Sequence, residues 1–111
     1  MKTFLLVEQE AQTRDVIKSM IQSLGFHVVA VENSLTARQI MSYVLFDAVC
    51  AAYDDELITK AEDTNPPTRV VLLLDKPYDA TQIIRFDSML SKPFSMTTLR
   101  DALDVALHHA A

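Results

Sequence analysis

Short apolar runs alternate with stretches whose apolar positions recur every three or four residues. The runs are 4–7 (FLLV), 28–31 (VVAV), 48–52 (AVCAA) and 70–74 (VVLLL), with a shorter one at 88–91 (SMLS). A run that is apolar throughout is buried on both faces, as in a parallel sheet. Between the first two runs, Val16, Ile17, Met20, Ile21 and Leu24 form one stripe of an amphipathic helix. Gly25 follows and suits a C-terminal cap. Asn33 or Ser34 caps a second helix with Ala37, Ile40, Met41 and Val44 on its inner face. After the fifth run, Ser95 caps a last helix with Leu99, Ala102, Leu103, Ala106 and Leu107 in register. Phe94 and Leu99 have the spacing of a hydrophobic staple. Strands alternating with helices imply a parallel sheet covered on both sides. The predicted architecture is (βα)5, a doubly wound five-stranded parallel sheet in one domain over residues 1–111.

Two crossovers are thin. A parallel connection needs about a dozen residues or more, usually with a helix. Residues 53–69 and 75–88 barely satisfy this. The pattern predicts a third helix of one or two turns around 57–61, or an irregular segment. It predicts a fourth helix over 79–86, with Ile83, Ile84 and Phe86 as its large apolar residues. Both helices are thus expected to be short. Pro66-Pro67 marks the turn into the fourth strand.

Composition narrows the function classes. Half of the 111 residues are hydrophobic, enough for a core without staples. Cys50 is the single cysteine, so there is no disulfide framework, and its apolar neighbours predict a buried, inert thiol. No apolar stretch approaches the roughly 18 residues of a membrane span, and the run at 4–7 is too short for a secretory signal. A cytoplasmic protein is expected. The net charge is −5, with lysines and arginines scattered, so direct nucleic-acid binding is not expected. A single glycine, Gly25, excludes GxGxxG and Walker A phosphate cradles. No CxxC or HExxH is present, and the neighbouring His108 and His109 cannot face the same way on a helix.

In open α/β sheets, ligands bind beyond the carboxyl ends of the strands. Those ends carry Glu8, Gln9 and Glu10, then Ala52 to Asp55, then Leu74 and Asp75, then Ser91-Lys92-Pro93. Acidic groups facing a lysine are able to hold a hard cation and a phosphoryl group, since magnesium takes oxygen ligands.

This constellation resembles the receiver domain of two-component response regulators, which has a flavodoxin-like fold, and the resemblance spans the chain. "LLVEQE" is similar to the family's first strand end, where two acidic residues follow a valine. "ENSLTA" is similar to the entry to its second helix. "FDAVCAA" resembles its third strand, which ends at the phosphoaccepting aspartate. "MLSKPF" resembles its fifth-strand motif, with a lysine, a proline after a usually cis peptide and a phenylalanine.

Residue by residue, the resemblance implies a degenerate site. Glu8 stands at the first acidic position. Gln9 stands at the second, which normally binds magnesium. Ala52 stands at the phosphoacceptor, Leu74 at the small hydroxyl residue that senses the phosphoryl group, and Met89 at the aromatic switch. Lys92 is retained. An alanine has no nucleophile, and acyl-phosphate formation requires a carboxylate. The expected protein is a pseudo-receiver. It is not an enzyme and has no cofactor, at most weak magnesium binding at Glu8 and Asp54. It acts in phosphorylation-independent signalling through a protein partner or a second copy. The family's contact face, helix 4, strand 5 and helix 5, corresponds here to residues 81–85, 88–91 and 96–107, with Val105 as an exposed contact.

Two alternatives remain open. Asp54 is a candidate displaced phosphoacceptor, although two residues carry a side chain about 6–7 Å along an extended chain, past Lys92 and Glu8 unless the loop folds back. The simpler expectation for Asp54 and Asp55 is a solvated turn. The second alternative is a small-ligand sensor whose vacated pocket Ala52, Leu74 and Met89 make apolar. Lys92 is expected to pair with Glu8 or Asp75, and Met20, Met41 and Met89 to fill the core or its edge.

Overall fold

Each apolar run forms a strand, and each stripe a helix, in a computed structural model that describes residues 2–75 and 86–108. In chain order these are β1 (Thr3–Val7), α1 (Ala11–Ser23), β2 (His27–Val31), α2 (Ser34–Met41), β3 (Ala48–Ala51), α3 (Asp55–Asp63), β4 (Arg69–Leu74), β5 (Ser88–Ser91) and α4 (Met96–His108). The strands form one parallel sheet in the order β2-β1-β3-β4-β5. Leu5 is the hinge of the register, opposite Val29 on one side and Val49 on the other.

Alternation of side chains across the sheet builds two cores. On one face Phe4, Leu6, Cys50, Val71, Leu73 and Leu90 pack with Ile17 and Ile21 of α1 and Leu99 and Leu103 of α4. On the other, Leu5, Val49, Leu72 and Val70 pack with Ala37 and Met41 of α2 and Leu57, Ile58 and Ala61 of α3. Burial pushes the Cys50 thiol up to about 12, which leaves it protonated and inert. Among the described residues, no helix is long and apolar enough to cross a membrane.

The starts of two strands are tied by carboxylates. Asp47, just before β3, accepts from the Thr3 N–H at 2.8 Å. Asp87, just before β5, accepts from the Val70 N–H at 2.7 Å. Each acid thus satisfies a backbone donor at the start of the neighbouring strand. Ser88 is buried because its hydroxyl donates to the Ala102 carbonyl at 2.7 Å, joining β5 to α4.

Several expectations hold in detail. Gly25 has φ +96°, and its N–H bonds to Gln22 at the end of α1. Asn33 caps α2 through the Thr36 N–H at 2.8 Å. Ser95 caps α4 through the Thr98 N–H at 3.1 Å, and Phe94 packs on the core that holds Leu99. Met41 is buried, while Met20 and Met89 pack partly buried against the two cores.

Others are corrected. Val16 is 59% exposed, because it lies about 100° around the helix from Ile17, which points at the sheet. Val44 is also exposed, since α2 stops at Met41 and the chain turns through the Val44 N–H to the Ile40 carbonyl. Tyr43 and Leu45 beside it are exposed as well. The third helix is longer than one or two turns: α3 has nine residues, because Leu57, Ile58 and Ala61 give it a buried face and Asp54 a cap. β3 ends at Ala51, one residue earlier than the apolar run. Most of the predicted fourth helix lies outside the described residues. Phe86 lies outside any helix and packs on the second core.

Candidate functional site

The strand order reverses its winding between β1 and β3, and the carboxyl ends of those strands border a cavity of about 690 Å³. Val7, Glu8 and Gln9 line it from β1, Glu32, Asn33 and Ser34 from the entry to α2, and Ala51 to Asp54 from the end of β3. Leu57 and Leu73 supply further apolar wall, and Asp75 and Lys92 close it. Glu8, Gln9, Asp75 and Lys92 also line a second hollow of about 580 Å³, shared with Glu10 and Thr13.

Lys92 is the centre of the site. Its backbone N–H bonds to the Leu74 carbonyl at 2.8 Å, which fixes it beside the end of β4. The Lys92–Pro93 peptide is cis, as the motif implied, and so is Asn65–Pro66. The Lys92 ammonium forms an ion pair and hydrogen bond with Glu8 Oε1, and its nitrogen lies 3.4 Å from Asp75 Oδ1. Both expected partners are therefore present. Partial burial disfavours the ammonium, but the Glu8 hydrogen bond and charge, and then Asp75, outweigh it and hold the Lys92 pKa above the ordinary lysine value.

Glu8 has no free carboxylate oxygen. Oε1 accepts from Lys92, and Oε2 accepts from the Glu10 N–H at 3.0 Å. The Arg14 guanidinium donates to the Glu8 carbonyl at 3.0 Å and to the Gln9 carbonyl at 3.4 Å. Glu10 itself caps α1, accepting from the Gln12 N–H at 2.6 Å and the Thr13 N–H at 3.1 Å. The Gln12 N–H above all holds the Glu10 carboxyl below its usual range.

Asp54 departs from the expectation of a solvated turn. The chain bends after β3, so Asp54 turns back to border the cavity while its Oδ1 accepts from the Leu57 N–H at 3.0 Å. It is the N-cap of α3, the stronger of the roles open to an aspartate at a helix entry. That N–H, with help from the nearby Ser34 hydroxyl, the Glu56 N–H and the Arg38 charge, outweighs desolvation and lowers its pKa. By geometry Ser34 Oγ makes no hydrogen bond, so its contribution to Asp54 is that of a nearby dipole. Asp55 is the first residue of α3 and accepts from the Tyr53 hydroxyl at 2.6 Å.

The cavity is also more polar than expected. Leu74 and Met89 do not line it. Both pack into the second core, because alternation along β4 and β5 turns them to the α2–α3 side of the sheet. The walls bear Glu8, Glu32, Asp54 and Asp75 against Lys92. An apolar ligand finds little to contact beyond Val7, Ala51, Ala52, Tyr53, Leu57 and Leu73.

The donor set does not suit magnesium. Each Glu8 oxygen already has a donor of the chain, Gln9 is neutral and Ala52 offers no oxygen from its side chain. Among the described residues, no group of three histidine, cysteine or acidic side chains converges as a metal site requires. No nucleophile stands at the end of β3, where the Ala52 methyl borders the cavity.

No protein-family model matches the chain, and no curated protein matches it significantly. Solved structures do. The receiver domain of a sensor histidine kinase from Pseudomonas aeruginosa, solved with magnesium in its active-site cleft, superposes with a TM-score of 0.82 at 19% identity, covering 96% of this chain and 97% of that one. A response regulator receiver protein from Sinorhizobium medicae gives 0.81 at 23% identity, over 97% and 95% of the two chains. A chain from the complex of histidine kinase ThkA with response regulator TrrA gives 0.82 at 19%, over 96% and 99%. The chain has the receiver-domain fold, and its cavity lies at the strand ends where that fold turns back on itself.

Proposed function

We propose that the chain is a signalling receiver module that lacks the phosphoacceptor aspartate and acts by associating with a protein partner. The observation that carries this reading is Ala52. It borders the cavity just beyond β3, a cavity shared with a lysine already paired with Glu8 and Asp75. A cavity with no carboxylate at that point has no group to form an acyl phosphate. Its acidic walls also repel a phosphate donor. The module needs no cofactor, catalyses no reaction and works in the cytoplasm. Partners of the similar folds support a protein partner here, since ThkA and TrrA form a kinase–regulator complex. The contact face we assign comprises β5 and α4, where Met96 and Val105 are exposed at 38% and 53%; its expected third part, residues 81–85, lies outside the described residues.

A second reading has one observation in its favour. Asp54 borders the same cavity as Lys92 and is held ionised. It would make Asp54 the phosphoacceptor, at the cost of the α3 cap. Amide NMR spectra with magnesium and beryllofluoride separate the two. The first reading predicts no change at residues 51–54. Localised shifts there, abolished in Asp54→Asn, would establish the second.

A further inference from the structure

We infer that Lys92 occupies the electrostatic place of a divalent cation in this chain, so that the site is a fixed, metal-independent clamp. The inference rests on the reading of the cavity as a receiver site without its acceptor. Both side-chain oxygens of Glu8, the acid at the end of β1, are taken by donors of the chain itself. Lys92 holds Glu8 Oε1, and the Glu10 N–H holds Oε2. Arg14 holds the carbonyls of Glu8 and Gln9. Asp75 is also within ion-pair distance of Lys92.

Location makes the arrangement a clamp. Glu8 follows β1, Asp75 follows β4 and Lys92 follows β5. These strands occupy three positions across a five-stranded sheet, so one ammonium links the ends of strands that are distant in sequence. The Glu8 side chain is only 9% exposed and that of Lys92 22%, so solvent screens their pair little. A soluble ion would come and go with its concentration. An ammonium on the chain stays, and the strand ends keep one charge state whatever the magnesium level.

Such a lysine also competes directly with metal. A magnesium ion reaching Glu8 must displace Lys92 and leave its ammonium partly buried beside a second cation. With Gln9 neutral and Ala52 without a side-chain oxygen, little is gained in return.

The test begins with the wild-type protein. Its melting temperature is expected to move no further with magnesium chloride than with sodium chloride of equal ionic strength. In the same titration, the Lys92 side-chain nitrogen resonance is expected to stay in place. Replacing Lys92 by methionine frees Glu8 and Asp75, and this variant is expected to gain a saturable, magnesium-specific rise in melting temperature. A magnesium-specific rise in the wild type, or a shifted Lys92 resonance, overturns the inference. So does a folded Lys92→Met protein that still ignores magnesium. If that variant does not fold, the wild-type resonance decides alone. Metal binding to the wild type would remove the clamp yet leave Ala52 without a nucleophile. A phosphoryl adduct on Asp54 would instead remove the proposed function and leave the clamp's metal test unchanged.

Discussion

At Asp54 one carboxylate both starts α3 and borders the cavity. Replacing it by alanine removes the cap and is expected to cost about 1 kcal/mol, within a range of about 0.5–2, in denaturant unfolding. Asparagine keeps a capping oxygen, as Asn33 does for α2, so Asp54→Asn should remain near wild type at neutral pH. Their pH behaviour should differ. The Asp54 pKa is lowered by folding, so its charge-linked stability is present above the ordinary value of 3.8 and lost as pH falls through the folded value. Asp54→Asn should lack that part of the acid limb in a pH series of melting temperatures. Lys92 works in the opposite direction. Its pKa is raised by folding, so its contribution is complete below 10.5 and lost as pH rises through the folded value. Lys92→Met should flatten the alkaline limb relative to wild type, measured as the difference between the two melting curves above about pH 10. The pairing of Lys92 was legible because few partners stood at the strand ends. The Glu10 cap was not, since glutamate is a rare cap and its reach to Gln12 and Thr13 depends on the local bend.

Elements with strong periodicity were read closely, and those with weak or short signals were not. The inner stripe of α4 is buried at Leu99, Ala102, Leu103 and Ala106. Leu103 is 1% exposed within the core shared with α1, so Leu103→Ala should lose about 2–5 kcal/mol in chemical denaturation. The same stripe logic placed Val16 and Val44 inside, where the structure puts them outside. For Val16, a stripe counted from sequence was wider than the line along which a helix meets a sheet. For Val44, the pattern continued after the backbone had already left the helix. The extent of α3 depended on Asp54, whose capping role required knowing that the chain turns directly after Ala51. Single-residue shifts at strand ends matter here, because they decide which side chains face the cavity. Alternation took Leu74 and Met89 away from it, and the bend after β3 brought Asp54 to it.

For the whole molecule, the sheet was legible from five apolar runs, and the rule that ligands meet the carboxyl ends of strands points to the cavity there. Of the expected set, Glu8, Gln9, Ala52 and Lys92 line one cavity. The cavity is more polar than the sequence suggests, because Glu32, Asn33 and Ser34, which the motif at 32–37 marks only as a helix entry, also line it. The receiver fold thus carries an acidic, lysine-clamped cavity with an alanine at the strand end. The central claim is that this cavity does not become phosphorylated. Its most direct test is intact mass after incubation with magnesium and a small-molecule phosphodonor, with Asp54→Asn treated in parallel. The account predicts no added phosphoryl group on either protein. A phosphoryl adduct on the wild type that is absent from Asp54→Asn would contradict it and establish a relocated acceptor.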